Sequence, residues 1–161
     1  MDIFHEQLVK IKPTATVIVS KIVIWIMAAV ICVLSFLAMI KISPLLLFLG
    51  AAFVYFAYKT TTSFNIEFEY SVTNGVVDID KIINKSSRKR LFTFECKQIE
   101  KIEKFSKDAY PKSQYHLCTD DLENALLFSV NCDNSKYKIV LSPNEKLMDN
   151  IKIFLPRSVI N

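Results

Sequence analysis

Glycine and cysteine are scarce in this chain, and their placement excludes several kinds of site. The only two glycines are Gly50 and Gly75, so the sequence has no glycine-rich loop of the kind that cradles phosphates, which excludes nucleotide hydrolysis. The four cysteines include no C-x-x-C pair, the spacing typical of zinc and redox sites. We therefore expect no metal, no cofactor and no disulfide framework, as is usual in a reducing compartment.

Catalytic signatures are also lacking. His116 and Cys118 are two residues apart, so on a strand they would share a face and could form a thiol–imidazole nucleophile. No orienting acid or oxyanion hole accompanies them, and filling a core is the alternative role for such a cysteine. The acidic stretch around Asp120 and Asp121 lacks the alternation and the glycine of a calcium loop. The sequence predicts a protein that is not an enzyme.

Charge is absent from two long apolar blocks, Ile22–Ile40 and Leu45–Tyr58. The first is about 19 residues long, which as a helix matches the ~30 Å hydrocarbon thickness of a bilayer. Only four residues separate the blocks, so the second helix must run back beside the first. The pattern predicts a transmembrane helical hairpin over residues 17–62, with helices at about 17–41 and 44–61. Because neither span holds an acid, histidine or arginine, we expect no ion path.

Lysine and tyrosine side chains mark the predicted membrane interface, where amphipathic residues settle. These interface residues are Lys21, Lys41, Tyr55, Tyr58 and Lys59. The small residues at which the two helices are expected to meet are Ala28, Cys32, Ser35, Gly50, Ala51 and Ala57. Most basic residues near the hairpin lie outside its short connection, so both termini are predicted to be cytoplasmic in a cell-membrane protein with two spans.

The segment before the hairpin, Asp2–Lys12, has helical periodicity, with Phe4, Leu8 and Ile11 on one side. Pro13 ends it. Residues 1–16 are predicted to form an amphipathic segment in the membrane interface. A flexible leader is the alternative for so short a segment.

The chain after residue 63 alternates apolar and polar side chains, as half-buried strands do. The predicted strands are 64–70, 76–83, 91–96, 99–105, 114–119, 125–131 and 136–141, with a helical turn as the alternative at 99–105. Asn74-Gly75 predicts a tight hairpin, and residues 105–113 a loop. Ser142 and Glu145 form a capping box that opens a helix over about 143–155. Seven short antiparallel strands followed by a helix is the element order of a pleckstrin-homology (PH)-like split barrel.

Three stretches resemble the bacterial membrane-flanked PH-like domains, in which a helical hairpin precedes the domain. They are Tyr70-Ser-Val-Thr-Asn-Gly-Val-Val-Asp-Ile79, Arg88-Lys-Arg-Leu-Phe-Thr-Phe94 and Ile99-Glu-Lys-Ile102. The whole chain is also similar to small membrane proteins of low-GC Gram-positive bacteria. The expected fold is an α+β membrane protein, with a transmembrane hairpin followed by a cytoplasmic PH-like antiparallel β split barrel (63–161) and one C-terminal helix. The resemblance implies no reaction.

One local concentration of positive charge lies in the predicted domain, in and around the turn after the second strand. It comprises Lys81, Lys85, Arg88, Lys89 and Arg90. Near a bilayer, such residues can hold specific acidic headgroups, attract an anionic surface non-specifically, or remain solvated. The net charge of +4 is too small for a nucleic-acid binder.

Three functions remain open. The first is a non-enzymatic membrane-tethered adaptor that presents the PH-like domain to a protein partner at the inner leaflet. The second is a domain that senses anionic lipid through the basic residues. The third is an accessory or immunity-type subunit of a membrane complex, for which the hairpin alone would retain activity.

Overall fold

A computed structural model describes residues 4–107, 109–132 and 135–159. Its helices are α1 (Ala15–Lys41), α2 (Leu46–Ser63) and α3 (Glu145–Ile153). Its strands are β1 (Phe4–Lys10), β2 (Ile66–Thr73), β3 (Val76–Ile83), β4 (Ser87–Glu95), β5 (Ile99–Lys104), β6 (His116–Leu117), β7 (Leu126–Cys132) and β8 (Ser135–Leu141). The chain divides into a helical unit, Lys12–Ile66, and a sheet unit, Met1–Ile11 with Glu67–Asn161.

The helical unit is a pair of helices that meet through small side chains. Ala28 and Ser35 of α1 are buried, as are Gly50 and Ala57 of α2. A Cβ atom added at Gly50 would lie 3.1 Å from the Cβ of Ser35, so the two backbones approach closely there. The predicted contact surface is therefore largely correct, but Ala51 is exposed and takes no part in it.

Helix α1 has 27 residues and is long and apolar enough to cross a membrane. Among the described residues it is the only helix with both properties. The last turn of α2 is polar, and its hydroxyl groups bond back along the helix as expected: Thr61 donates to the carbonyl of Ala57 at 2.8 Å, and Thr62 to that of Tyr58 at 3.0 Å. The second span stays a prediction.

The N-terminal segment differs most from its prediction. Residues 4–10 form strand β1 rather than a helix, and they pair with β2 along their whole length, from Phe4 opposite Thr73 to Lys10 opposite Glu67. The prediction of a helix from the spacing of apolar residues was wrong, because pairing with a distant strand offers the backbone an alternative set of hydrogen bonds. The sheet unit is therefore discontinuous in sequence, with the helical unit inserted between two paired strands.

Two four-stranded sheets make up the sheet unit, in the orders β1-β2-β3-β4 and β5-β7-β8-β6. Their facing sides form the core with apolar side chains that include Tyr70, Val77, Ile79, Phe94, Phe128, Val130, Ile139 and Leu141. Tyr70 is fully buried and donates its hydroxyl to the carbonyl of Cys118 at 2.6 Å, which satisfies a polar group in an apolar interior.

Several predicted boundaries are wrong by a few residues, and one pairing differs in direction. The strand predicted at 64–70 begins at Ile66, because α2 continues to Ser63. The strand predicted at 114–119 shrinks to His116–Leu117, and it runs parallel to β8 rather than antiparallel. The Asn74-Gly75 hairpin is confirmed, with φ of 48° and 84° at its two residues.

Helix α3 begins two residues later than the capping box predicted. Asn144 is its cap, and its side chain accepts from the backbone N–H of Leu147 at 2.8 Å. The hydroxyl of Ser142 instead lies 2.7 Å from that of Thr119. Gln7 of β1 donates to the carbonyl of Ser142 at 3.0 Å and accepts from the N–H of Asn144 at 2.7 Å, so β1 also holds the entry to α3.

The loop after β5 covers the outer face of the second sheet. Phe105 packs with Ala125, Leu127 and Val140 in a small separate core, against which two tyrosines of the loop lie. The ring of Phe105 meets that of Tyr115 edge-on at 4.9 Å. Both faces of this sheet are therefore covered, which explains why β7 and β8 are apolar on consecutive residues.

Candidate functional site

The β3–β4 hairpin carries all five basic residues of the predicted turn, but only one of them lies in the turn itself. Lys85 occupies it with φ of 56°, beside Asn84 at 51°. The other four extend along the strands, where Lys81 is opposite Lys89 and Arg90 is opposite Asp80. Because side chains alternate between the faces of a sheet, the basic residues are divided between two faces.

The two arginines lie on the outer face of the first sheet and are paired with acids. Arg88 contacts Glu69 at 2.6 Å and Asp80 at 3.8 Å. Arg90 contacts Asp80 at 3.0 Å and Asp78 at 3.3 Å, and its hydrogen bond to Asp80 raises the pKa of the guanidinium. Asp80 is only 4% exposed. These arginines compensate a buried carboxylate, so we assign them a structural role.

Lys81 and Lys89 lie on the opposite face, in register with core residues of the same strands. Lys81 shares a face with Ile79, and its partner Lys89 shares a face with Phe92. Within the described part of the chain, no carboxylate lies within 4 Å of the ammonium groups of Lys81, Lys85 or Lys89. Like charges directly opposite each other destabilise a strand pair. Lys81 and Lys89 therefore form a cationic pair, and a bound anion would reduce the repulsion between their charges.

A cavity of about 390 Å³ opens between β4 and the second sheet. Its lining consists of Leu91, Phe92, Thr93, Phe94, His116, Val130, Cys132, Tyr137 and Ile139. The ring of Phe92 is central, with its centroid 4.9 Å from that of His116 and 5.9 Å from that of Tyr137. The lining is mainly apolar and aromatic, and its residue nearest in sequence to the cationic pair is Leu91, two residues after Lys89 in β4.

His116 and Cys118 do not form a nucleophilic pair. His116 is exposed at the cavity, whereas Cys118 is 1% exposed in the core, where burial raises the pKa of its thiol to about 12. Burial likewise raises the pKa of the Cys96 thiol to about 11. Activated thiols have lowered pKa values. Across the described residues, no group of three or more His, Cys, Asp or Glu side chains is arranged to hold a metal ion.

Four of the predicted interface residues lie at a helix end or on an exposed side, whereas Lys21 is half-buried near the start of α1. Lys41 ends α1, and the ammonium of Lys21 donates to the side-chain oxygen of Asn65 at 2.8 Å. Tyr55, Tyr58 and Lys59 are exposed on α2. Their placement at a membrane interface stays a prediction.

The cavity itself was not predicted, because its lining comes from four strands that lie far apart in the sequence. Its one sequence signal is the pair of aromatic residues Phe92 and Phe94 in β4, a pattern equally typical of a strand that faces a core.

Two sheets that enclose an apolar core and are followed by a C-terminal helix define the class as a PH-like β domain. The family model described as "Bacterial PH-like domain (DUF6106)" matches residues 1–161, and the chain belongs to this family. No curated protein and no solved structure matches the chain.

Proposed function

We propose that this protein is a non-enzymatic interaction module, tethered to the membrane by its helical unit, that presents a PH-like domain at the cytoplasmic face. Membership of a PH-like family supports a non-catalytic interaction domain. The length and composition of α1 support a membrane tether. The raised thiol pKa values of Cys96 and Cys118 are consistent with the absence of a nucleophile.

One observation carries the topology: β1 and β2 precede and follow the helical unit, yet they pair over seven residues of each strand. Hydrogen-bonded neighbours in one sheet must lie on the same side of a bilayer, because unpaired strand backbone is not tolerated within lipid. If α1 crosses the membrane, α2 must return the chain. This supports two spans, and the surplus of lysine and arginine outside the connection favours cytoplasmic termini.

Reporter fusions test this topology in living cells. Green fluorescent protein at either terminus is expected to fluoresce, and alkaline phosphatase inserted after Ile42 is expected to be active, because that enzyme matures only outside the cytoplasm. As a control, phosphatase inserted at Asn84 of the β3–β4 turn should be inactive. Active phosphatase at either terminus would overturn the proposed topology.

Affinity purification of the gently solubilised full-length protein from its native membrane, with protein mass spectrometry, tests the adaptor role. A stoichiometric protein should be recovered. In a matched chimera, an unrelated two-span hairpin replaces residues 12–66, and the same protein should still be recovered because the sheet unit makes the contact. If the partner protein is recovered only when residues 12–66 are native, the helical unit makes the contact. The accessory-subunit function then replaces the adaptor function.

An anionic-lipid sensor is a second candidate, favoured by the cationic pair of Lys81 and Lys89. Its test is flotation of the full-length protein, held in neutral nanodiscs, with anionic vesicles. The full chain is needed because a fragment beginning at residue 63 lacks β1. Glutamine at Lys81, Lys85 and Lys89 should abolish flotation if the lipid function is correct, whereas unchanged flotation would reject it. Arg88 and Arg90 are left intact because they compensate Asp80.

A further inference from the structure

One side of the sheet unit, where β4 of the first sheet and β8 of the second lie beside the cavity, has two strand edges that are not fully paired. We call it the open side. Among the residues that the structure describes, β4 pairs with β3 alone and so ends the first sheet. β8 pairs with β6 only at Ile139 and Val140, so within the described residues the stretch from Ser135 to Lys138 has β7 as its one neighbour. Unpaired edges are templates for a further strand, and natural proteins usually cover or shield them.

The cavity lies between these two edges and forms a pocket in the uncovered surface. At about 390 Å³ it can accept one large apolar side chain, which would meet the rings of Phe92 and Tyr137. Backbone groups along an edge combined with a side-chain pocket are the two requirements for recognising an extended peptide.

The charges near the cavity are asymmetric along β4. Its beginning carries Lys89, opposite Lys81, and neither has a carboxylate partner among the described residues. Its far end is neutralised by the ion pair of Glu95 and Lys97 at 2.5 Å. An occupant should therefore carry negative charge at one end only.

We propose that this open side binds an extended peptide with one apolar anchor in the cavity and an acidic side chain two residues further on, against Lys81 and Lys89. Ile79 and Lys81 are two residues apart on one face of β3, and a register irregularity brings Phe92 and Lys89, three residues apart in β4, opposite them. A regular peptide strand that takes the same register as β3 therefore carries its anchor and its acid two residues apart. An antiparallel peptide would carry the acid on the C-terminal side of its anchor. This inference rests on the proposed adaptor function and names its partner's chemistry.

Fluorescence anisotropy tests the proposal with the full-length protein in neutral nanodiscs. The probe is a labelled peptide of alternating threonine and valine that contains one tryptophan followed, two residues later, by glutamate. A matched peptide has lysine in place of the glutamate. We expect the glutamate peptide to bind about fivefold or more tightly, the scale of one exposed ion pair replaced by repulsion.

Charge reversal identifies the site. Lys89→Glu should reverse the preference between the two peptides, and Tyr137→Ala should weaken both. Lys146→Glu changes the net charge equally but lies on α3, so it should leave the preference unchanged. Equal binding of both peptides, or equal effects of Lys89→Glu and Lys146→Glu, would overturn the proposal.

Two outcomes separate this inference from the adaptor function. If the purified partner is retained by the Lys89→Glu variant, the adaptor function stands and the peptide site is wrong. If neither peptide binds but anionic vesicles are recruited in a manner that depends on Lys89, the cationic pair serves lipid, and the peptide proposal is rejected.

Discussion

The helical and sheet units place the same residue types in opposite environments. In the helical unit, Phe48 is 72% exposed and Trp25 is 44% exposed, whereas Phe128 of the sheet unit is fully buried. The interior of the helix pair is made instead of small residues such as Ala28 and Gly50. Large apolar side chains directed outward and small ones inward are suited to lipid, while the reverse is suited to water. The two units therefore bury apolar side chains of opposite size.

The largest expected effect comes from truncating one phenylalanine in each unit. Phe128→Ala should lower the free energy of unfolding of the sheet unit by about 3–5 kcal/mol, because it leaves a cavity in a packed core. Phe48→Ala is the matched control and should change it by less than about 0.5 kcal/mol. Urea titration of both full-length variants in detergent micelles measures the difference. Equal losses would show that the exposed face of α2 supports the fold.

Packing between the helices is tested by enlarging one small residue. Gly50→Leu should destabilise the helix pair by about 1–3 kcal/mol, because its first added carbon already lies 3.1 Å from Ser35. Ala51→Leu, one residue along on the exposed side, should have little effect. Hydrogen exchange of the α2 amides reports the loss of protection. Unchanged exchange in Gly50→Leu would mean that the helices do not depend on close approach.

Within the sheet unit, the two classes of basic residue should differ. Arg90→Ala should lower the free energy of unfolding, because the buried carboxylate of Asp80 loses a partner. Lys89→Ala should leave the free energy of unfolding unchanged or raise it by about 0.2–0.5 kcal/mol, since it removes a like charge opposite Lys81. Thermal unfolding of the two variants decides this. A larger loss for Lys89→Ala would reverse the assignment of roles.

The effect that is smallest near neutral pH concerns the buried thiols. Burial raises the pKa of Cys96 to about 11 and that of Cys118 to about 12, above the roughly 8.5 of an unfolded thiol. Above that lower value the unfolded chain loses protons first, so stability should fall between about pH 8.5 and 12, and be unaffected below pH 8.

Alkylation with iodoacetamide at pH 8, read by mass spectrometry, checks the protection directly. Cys96 and Cys118 should react only after urea is added, whereas the half-buried Cys132 should react first. Reaction of native Cys118 as fast as Cys132 would contradict its burial.

Prediction from sequence succeeded where local pattern decides structure. The alternation around Phe68 and Tyr70, the Asn74-Gly75 turn and the two apolar blocks each indicated the correct element, because side-chain period and backbone preference are local properties. It failed for residues 4–10, whose spacing fits a helix equally well. Nothing nearby in the chain reveals that β2, beyond the helical unit, pairs with them.

The candidate site also depends on contacts between segments that are distant in the sequence. The five basic residues were found from sequence, but their division was not, because it depends on which face of the hairpin meets acids. Arg88 pairs with Glu69 across a neighbouring strand, while Lys81 and Lys89 face each other.

The sequence by itself determined that the chain has an apolar helical part and a β-rich part, and where most strands lie, because apolar runs and alternation are written residue by residue. The tertiary structure decided the rest. It determined the pairing of β1 with β2, the loop that covers the second sheet, which basic residues pair with acids, and the cavity beside Phe92. Each of these joins segments far apart in the chain, and such contacts depend on the register and packing of the whole sheet unit.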